Sequence, residues 1–322
     1  MIYVLEGHDL KHAVEEMLLH MRPAELPVCQ EHVPESGDYC VSRLVIRDDV
    51  AQAQAEAFWD GERHVGQSKA SIEGLDALAQ KRVTTELVKL ALYDAMVGSL
   101  PTPPAWGSLT GVRPAKLARG QMARGMTRAQ VAERFRNRYH VSPERTALTM
   151  RAAAFAQDAL ERLPEDEVSL YIGIPFCPSR CAYCSFVSHS IEKSAALIAP
   201  YTEALCEELK QTGALLHEGG LRISSIYIGG GTPTTLSAEQ LALLMGSVKA
   251  SFDLSRLQEY TVEAGRPDTI TAEKLQAIRE GGAGRVSINP QSMNDQVLRN
   301  IGRRHSAQDV LDAYALARKT GF

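Results

Sequence analysis

Three of the six cysteines in the chain lie within eight residues of one another, at Cys177, Cys181 and Cys184. The stretch YIGIPFCPSRCAYCSF gives them the spacing C-x3-C-x2-C directly after a β-type run. Thiolates are soft ligands that suit zinc and iron–sulfur clusters. A cubane cluster contains four irons, so three cysteines leave one iron open to an exchangeable ligand. The spacing therefore predicts a [4Fe–4S] cluster with an open iron.

Two other ligand sets are compatible with the same spacing. His189 could complete a tetrahedral zinc site with the three cysteines. Cys206 could supply a distant fourth thiolate to a ferredoxin-like cluster, although it lies in the helical pattern YTEALCEELK. Disulfides are not expected, because the sequence has neither a signal-peptide pattern at its start nor an apolar run of membrane-spanning length. We expect a cytoplasmic protein with reduced thiols.

Polar and glycine-rich segments follow the β-type runs of the second half. GGGTPT covers residues 229–234; its glycines are typical of a tight turn or of a backbone that approaches a ligand closely. Glu263 ends the run EYTVEA, Gln291 follows GRVSINP, and Arg303 lies twelve residues further on. A buried structural carboxylate and a surface arginine are the ordinary alternatives for Glu263 and Arg303.

The second half alternates strand and helix patterns. The strand candidates are VSLYIGI, SSIYIGG, EYTVEA and GRVSINP, and each precedes a helical segment. This order predicts an α/β fold with a parallel sheet of about four βα units and a functional edge at the strand carboxyl ends. Four units form part of a (β/α) barrel and leave a sheet edge open, so we expect the sequence to be the N-terminal part of a longer protein.

The first half predicts a smaller α+β domain with a helical extension. IYVLEG and YCVSRLVIRD are its strand candidates, residues 73–98 form a long helix, and further helices cover about 127–163. We therefore predict two domains, residues 1–165 and 166–322. Residues 113–145 contain nine Lys or Arg against two Glu. The interpretations are a solvated Arg-rich helical pair, a docking surface for an acidic redox partner or acidic substrate, or a nucleic-acid-binding helix–turn–helix. Nucleic acid is the least expected, because nothing in the neighbouring sequence supports it.

The cysteine motif resembles that of the radical S-adenosylmethionine (SAM) superfamily. Together with GGGTPT, TVEAGRPDTI, GRVSINPQSMN, IGRRH and WGSLTGVRPAKL, residues 105–322 resemble the oxygen-independent coproporphyrinogen III oxidase family, its HemZ branch most closely. The resemblance implies that Cys177, Cys181 and Cys184 hold the cluster and that SAM chelates the open iron. It places Tyr183 near the adenine and Tyr171 beside the sulfonium. The remaining SAM contacts that it implies are Gly230, Gly231 and Thr232 along the methionine part, and Glu263, Gln291 and Arg303 at the ribose and carboxylate.

The same resemblance implies a reaction in anaerobic haem biosynthesis. Two propionate side chains of coproporphyrinogen III would each lose a hydrogen atom, carbon dioxide and one electron to give the vinyl groups of protoporphyrinogen IX. A donor such as flavodoxin or ferredoxin would reduce the cluster. Phe186 and Gly173 stand where the dehydrogenase branch has cysteine and histidine. Both are shared in part with the HemW branch, so a haem-binding chaperone without decarboxylase activity is the alternative.

Overall fold

The computed structural model describes residues 1–322 and divides them into two compact units. These units are Met1–Arg162 and Leu163–Phe322. Each unit contains its own cluster of fully buried apolar side chains. No helix in the structure is both long and apolar enough to cross a membrane.

The first unit combines a five-stranded sheet with helices. Its strands are β1 (Ile2–Glu6), β2 (Val28–Gln30), β3 (Tyr39–Arg47), β4 (Val50–Trp59) and β5 (Glu62–Ser71). Its helices are α1 (Lys11–Met21), α2 (Ala77–Met96), α3 (Pro114–Met122), α4 (Arg128–Asn137) and α5 (Pro143–Glu161), with a 3₁₀ turn at Val97–Ser99. The sheet order is β2-β1-β3-β4-β5, in which β1 runs parallel to both neighbours and β3, β4 and β5 are antiparallel.

The helices at the end of the first unit enclose a separate apolar cluster. Val131 and Phe135 of α4 pack there with Met150 and Ala153 of α5. The Thr127 hydroxyl accepts a hydrogen bond from the backbone of Gln130, whose side chain accepts one from the Thr127 backbone, and this capping box begins α4. The basic segment is therefore a packed helical group.

The second unit contains the predicted strand–helix alternation. Its strands are β6 (Glu167–Ile174), β7 (Phe176–Cys177), β8 (His189–Ser190), β9 (Arg222–Gly230), β10 (Glu259–Glu263) and β11 (Arg285–Ser287). Its helices are α6 (Ile191–Ser194), α7 (Ile198–Glu218), α8 (Ala238–Ser251), α9 (Ala272–Glu280), α10 (Asp295–Asn300) and α11 (Ala307–Lys319). Short 3₁₀ turns occur at Ala195–Leu197, Pro233–Thr235 and Pro267–Thr269.

The main sheet of this unit has the order β11-β10-β9-β6, and all of its strands are parallel. Consecutive strands along the chain lie side by side, as expected for successive right-handed βα units. Buried isoleucine and valine on the strands pack against buried leucine and isoleucine on α7, α8 and α9. The predicted fold class, part of a (β/α) barrel preceded by an α+β domain, is confirmed. The carboxyl ends of β6, β9, β10 and β11 form one edge, where the candidate residues lie.

Candidate functional site

The three cysteines lie in residues 177–188, here called the cysteine loop, which begins at the last residue of β7 and follows the carboxyl end of β6. Strands β7 and β8 pair in parallel, with Phe176 opposite His189 and Cys177 opposite Ser190, so residues 178–188 form a loop closed at its base. The His189 backbone N–H donates to the Pro175 carbonyl at 2.7 Å. Within the loop, the Cys184 N–H donates to the Cys181 carbonyl at 3.1 Å. The two-residue pairing of β7 with β8 and these hydrogen bonds restrict the positions of the cysteines.

The glycine-rich turn after β9 packs directly against the first cysteine. Gly231 donates a backbone hydrogen bond to the Ile174 carbonyl at 2.7 Å. A Cβ atom on Gly231 would lie 2.7 Å from the Phe176 carbonyl oxygen and 3.0 Å from Cys177 Sγ. Gly230 has φ of +105°, a conformation that strongly favours glycine. The Thr232 hydroxyl lies 3.4 Å from Cys177 Sγ and can donate to it.

The turn before Arg303 contacts the cysteine loop from another direction. Ala182 donates its backbone N–H to the Ile301 carbonyl at 3.0 Å, and the Ser179 hydroxyl donates to the Gly302 carbonyl at 3.0 Å. The cysteine loop is thus held by two segments that are distant in sequence, the glycine-rich turn and the IGRRH turn.

Arg303 is a buried cation beside this loop. Its side chain donates to the Gly265 carbonyl at 2.8 Å and to the Tyr183 hydroxyl at 3.1 Å. The residue is 8% exposed, its Nε has no partner, and no carboxylate forms a salt bridge with it. Burying a charge is costly unless it is paired. The arrangement is therefore suited to an anionic group of a ligand.

Glu263 and Tyr171 come together through a tyrosine that the sequence reasoning did not identify. The Tyr227 hydroxyl donates to Glu263 Oε1 at 2.6 Å, and the rings of Tyr171 and Tyr227 stack with centroids 6.0 Å apart. Burial, together with the hydrogen bond to Glu263, raises the pKa of Tyr227 to about 12. Tyr227 lies two residues before Gly229, the first residue of the glycine-rich turn, and its side chain points to the same face of β9.

Gln291 differs from the other candidates. It is exposed, has φ of +60°, and makes no side-chain hydrogen bond. The carbonyl of the neighbouring Pro290, in contrast, accepts a hydrogen bond from His305 at 3.3 Å. Gln291 is therefore at the predicted edge of the sheet without contacts that fix its amide.

Arg266 and Asp268 were also missed by sequence reasoning. Arg266 is 2% exposed and lies in the AGRPDT segment after β10. Its guanidinium donates to both Asp268 carboxylate oxygens, to the Ser179 carbonyl and to the Ser179 hydroxyl. A charged pair directly after a parallel strand is a signal that could have identified them, because that position is the functional edge of such sheets.

The donor set fits a [4Fe–4S] cluster better than a single zinc ion. Three thiols lie on one loop, and hydroxyl or guanidinium donors approach two of their sulfurs. No group of three or more His, Cys, Asp or Glu side chains is placed to hold one metal ion in this structure. A tetrahedral zinc site needs four ligands, whereas three thiolates suffice for a cubane cluster whose fourth iron binds an exchangeable ligand. Cys206 lies in α7, partly packed against the core, and joins no such group.

Comparison with known proteins agrees with these observations. Residues 171–322 match the radical SAM superfamily. The chain is 34% identical over 294 residues to the oxygen-independent coproporphyrinogen-III oxidase-like protein HemZ of Bacillus subtilis, covering 89% of this chain and 58% of that protein. It is 42% identical over 158 residues to the haem chaperone HemW of B. subtilis, covering 48% of this chain and 40% of that protein.

A solved structure of coproporphyrinogen III oxidase (HemN) from Escherichia coli also matches. It is 30% identical, with a TM-score of 0.45 over 52% of this chain and 38% of that chain. This chain therefore spans between about two fifths and three fifths of the length of these relatives.

The second unit is a radical SAM domain, a class of protein that uses a [4Fe–4S] cluster and SAM. The chain belongs to the radical SAM coproporphyrinogen oxidase family, in its HemZ branch.

Proposed function

We propose that the protein oxidatively decarboxylates two propionate side chains of coproporphyrinogen III to give protoporphyrinogen IX. The observation that supports this most directly is the set of residues at the carboxyl edge of the parallel sheet. Three cysteines, the glycine-rich turn and the buried Arg303 meet there, in a chain that is similar to HemZ over 89% of its length. The similarity extends beyond the radical SAM domain into the first unit, which favours HemZ-like chemistry over a role shared by the domain alone.

In this proposal Cys177, Cys181 and Cys184 are the cluster ligands. A bound cluster and SAM would supply the radical chemistry that removes a hydrogen atom from the propionate β-carbon. The side chain would then lose carbon dioxide and pass one electron to an acceptor, which leaves a vinyl group. The chain's own residues orient the groups. Arg303 would pair with the SAM carboxylate, since a buried guanidinium favours a carboxylate partner. Backbone groups of Gly230, Gly231 and Thr232 would line the methionine part.

The remaining SAM contacts form a second group. Glu263 would accept hydrogen bonds from the ribose hydroxyls, with its carboxylate held in place by Tyr227. Tyr183 would lie near the adenine and Tyr171 near the sulfonium. Gln291, which is exposed and unbonded, could turn toward the ribose without breaking any existing contact.

An apolar cavity would take one edge of a tetrapyrrole substrate, because it is smaller than the about 300–1,000 Å³ of a pocket that encloses a whole drug-sized ligand. It has a volume of about 260 Å³ and lies beside the cysteine loop, with Tyr171, Phe186, Val187 and Tyr201 in its wall. Phe186 and Val187 are 61% and 82% exposed, so they present apolar surface next to the proposed reaction centre. Exposed apolar side chains in a cleft are typical of ligand sites. The reaction also requires an electron donor, for which flavodoxin or ferredoxin is suited.

A haem chaperone is the second candidate function. The 42% identity to HemW supports it, as does Phe186 at the place where the dehydrogenase branch has a cysteine. In this case the cluster site would remain while the tetrapyrrole would be held without being changed.

One anaerobic assay separates the two candidates. The protein, reconstituted with iron and sulfide, is supplied with SAM, a chemical reductant and coproporphyrinogen III. Decarboxylase activity predicts carbon dioxide, protoporphyrinogen and 5′-deoxyadenosine. Stable haem binding without carbon dioxide release would contradict the decarboxylase and support the chaperone. Cys181→Ala serves as the control for products that do not depend on the cluster.

A further inference from the structure

Arg266 occupies a position next to the cysteine loop that the roles described above do not use. Its side chain is almost fully buried, and all of the groups that it contacts lie at the functional edge. Nη1 donates to the Ser179 carbonyl at 3.2 Å, and Nη2 donates to the Ser179 hydroxyl at 3.1 Å. Nη1 also lies 3.9 Å from Cys181 Sγ, within the range of a hydrogen bond to sulfur.

Asp268 fixes the orientation of this guanidinium. Its two carboxylate oxygens each accept from Arg266 at 3.1 Å, one from Nε and one from Nη2. A bidentate pair of this kind holds a guanidinium in one plane. With Nε and Nη2 occupied by Asp268, Nη1 is left to face Ser179 and Cys181. The direction of Nη1 therefore follows from the pair and not from the flexibility of a long side chain.

A buried cation beside a cluster thiolate changes the energy of the cluster's two redox states by different amounts. Reduction adds one negative charge, and a nearby guanidinium stabilises the reduced state more than the oxidised state. Hydrogen bonds to the sulfurs and net local charge are among the factors that set the reduction potential of such clusters. Arg266 provides both a charge and an N–H donor at the middle cysteine.

We propose that Arg266 is a positioning residue that holds the cysteine loop through Ser179 and raises the reduction potential of the cluster bound there. The proposal rests on the proposed ligation by Cys177, Cys181 and Cys184. Its partner Asp268 limits the effect, because the carboxylate offsets part of the guanidinium's charge. Removing the two residues one at a time should therefore shift the potential in opposite directions.

The first experiment measures the midpoint potential of the reconstituted cluster by EPR-monitored redox titration, with iron content determined in parallel. In Arg266→Gln the equilibrium constant for reduction of the cluster should fall by about tenfold. For a one-electron couple this corresponds to a midpoint potential about 59 mV lower than that of the wild type. Arg266→Lys keeps the charge without the bidentate geometry, so its potential should lie between those of Arg266→Gln and the wild type.

Arg304→Gln is the matched control. Arg304 is the next-but-one residue after Gly302, is 61% exposed in its side chain, and pairs with Glu192. Because solvent and salt screen an exposed charge, its loss should leave the potential close to the wild-type value. An equal shift in Arg304→Gln and Arg266→Gln would overturn the proposal, as would an unchanged potential in an iron-loaded Arg266→Gln protein.

Asp268→Asn decides the case in which Arg266→Gln does not retain a cluster. The amide in Asp268→Asn keeps one oxygen acceptor for Arg266, and the two hydrogen bonds to Ser179 hold the other side of the guanidinium. The variant should therefore bind iron and show a higher potential than the wild type. A lower or unchanged potential, or failure to bind iron, would contradict the proposal. If the wild-type chain itself bound no cluster, the proposed function would fail instead, and the two failures are thereby distinguishable.

Discussion

Gly231 is the residue whose replacement tests the packing of the cysteine loop most simply. In Gly231→Ala the new Cβ would come within 3.0 Å of Cys177 Sγ and within 2.7 Å of a backbone oxygen that cannot move freely. Relieving this overlap should cost on the order of 1–3 kcal/mol and displace Cys177. We expect a reduced iron content after anaerobic reconstitution, measured by a colorimetric iron assay.

Gly284→Ala is the control for this prediction. Gly284 is exposed and has no atom within 4 Å of a built Cβ, so the substitution should leave iron content unchanged. Equal iron content in the Gly231→Ala and wild-type proteins would show that the glycine-rich turn is not tightly packed against the cysteine.

Replacing Tyr227 should weaken the binding of SAM without changing the iron content of the protein. Tyr227→Phe removes the hydrogen bond to Glu263 but keeps the ring that stacks on Tyr171. A hydrogen bond to a charged group contributes roughly 1.5–3 kcal/mol, so the affinity for SAM should fall by about tenfold or more. Isothermal titration of the reconstituted protein measures this, with iron content unchanged. Tyr314→Phe, at an exposed position on α11, is the control; a loss of the same size there would contradict the role given to Tyr227.

His305 predicts a pH dependence of stability. Burial lowers its pKa, and the cations Arg303 and Arg266 act in the same direction, while Asp268 and the Pro290 carbonyl oppose them. The neutral form is thus favoured in the folded state, and the unfolded chain takes up the proton first. Stability from this residue is complete above about pH 6.5 and is lost as the pH falls below that value.

The comparison of the wild type with His305→Gln measures this effect. Thermal unfolding midpoints at pH 7.5, 6.5 and 5.5 should show a difference between the two proteins that becomes smaller toward low pH, because only the wild type loses the histidine contribution. A difference that stayed constant over this range would show that folding does not lower the pKa of His305.

At the scale of elements, helix packing in the second unit depends on another glycine. A Cβ on Gly213 in α7 would lie 2.1 Å from the carbonyl oxygen of Ser251, at the end of α8. Alanine raises helix propensity by about 1 kcal/mol over glycine, whereas overlap with a backbone oxygen costs on the order of 1–3 kcal/mol. Gly213→Ala should therefore destabilise the protein, as measured by its thermal midpoint.

Gly246 in α8 provides the opposite case in the same unit. It is exposed and has open space around its Cβ position, so Gly246→Ala gains helix propensity without any overlap. It should stabilise the protein by roughly 0.5–1 kcal/mol. Two midpoints that moved in the same direction would contradict the packing of α7 against α8.

Strands with few large apolar residues were the elements that sequence patterns did not reveal. Four of the five buried inward positions of β4 are alanine, and only Trp59 at the end of the strand is large; the alanines are Ala51, Ala53, Ala55 and Ala57. Alanine is depleted in strands and small residues give a weak alternation signal, so the β4–β5 hairpin was not predicted. The strands of the second unit were predicted because buried parallel strands carry continuous Ile- and Val-rich runs.

The candidate site was predictable where local spacing carried the chemistry. The cysteine loop and the glycine-rich turn are each defined by a few adjacent residues, and both lie at the expected sheet edge. Arg266 and Tyr227 could not be assigned in this way, because their contacts with Ser179 and Glu263 span 87 and 36 residues of sequence. Only the register of the parallel strands brings these pairs together.

At the scale of the whole molecule, the chain has two compact units, and all residues of the candidate site lie in the second unit. The radical SAM match begins at residue 171, within the second unit, whereas the similarity to HemZ covers 89% of the chain. The first unit therefore belongs to the same lineage as the radical SAM domain in this branch.

The EPR spectrum of the reduced, reconstituted protein tests the central claim most directly. We predict about four iron atoms per chain, a [4Fe–4S] signal in the reduced state, and a change in that signal on addition of SAM, because in the proposed site SAM would bind the iron that has no cysteine. The Cys181→Ala protein should lack both the signal and the response. A wild-type signal that SAM leaves unchanged, or a Cys181→Ala protein that retains it, would contradict the account.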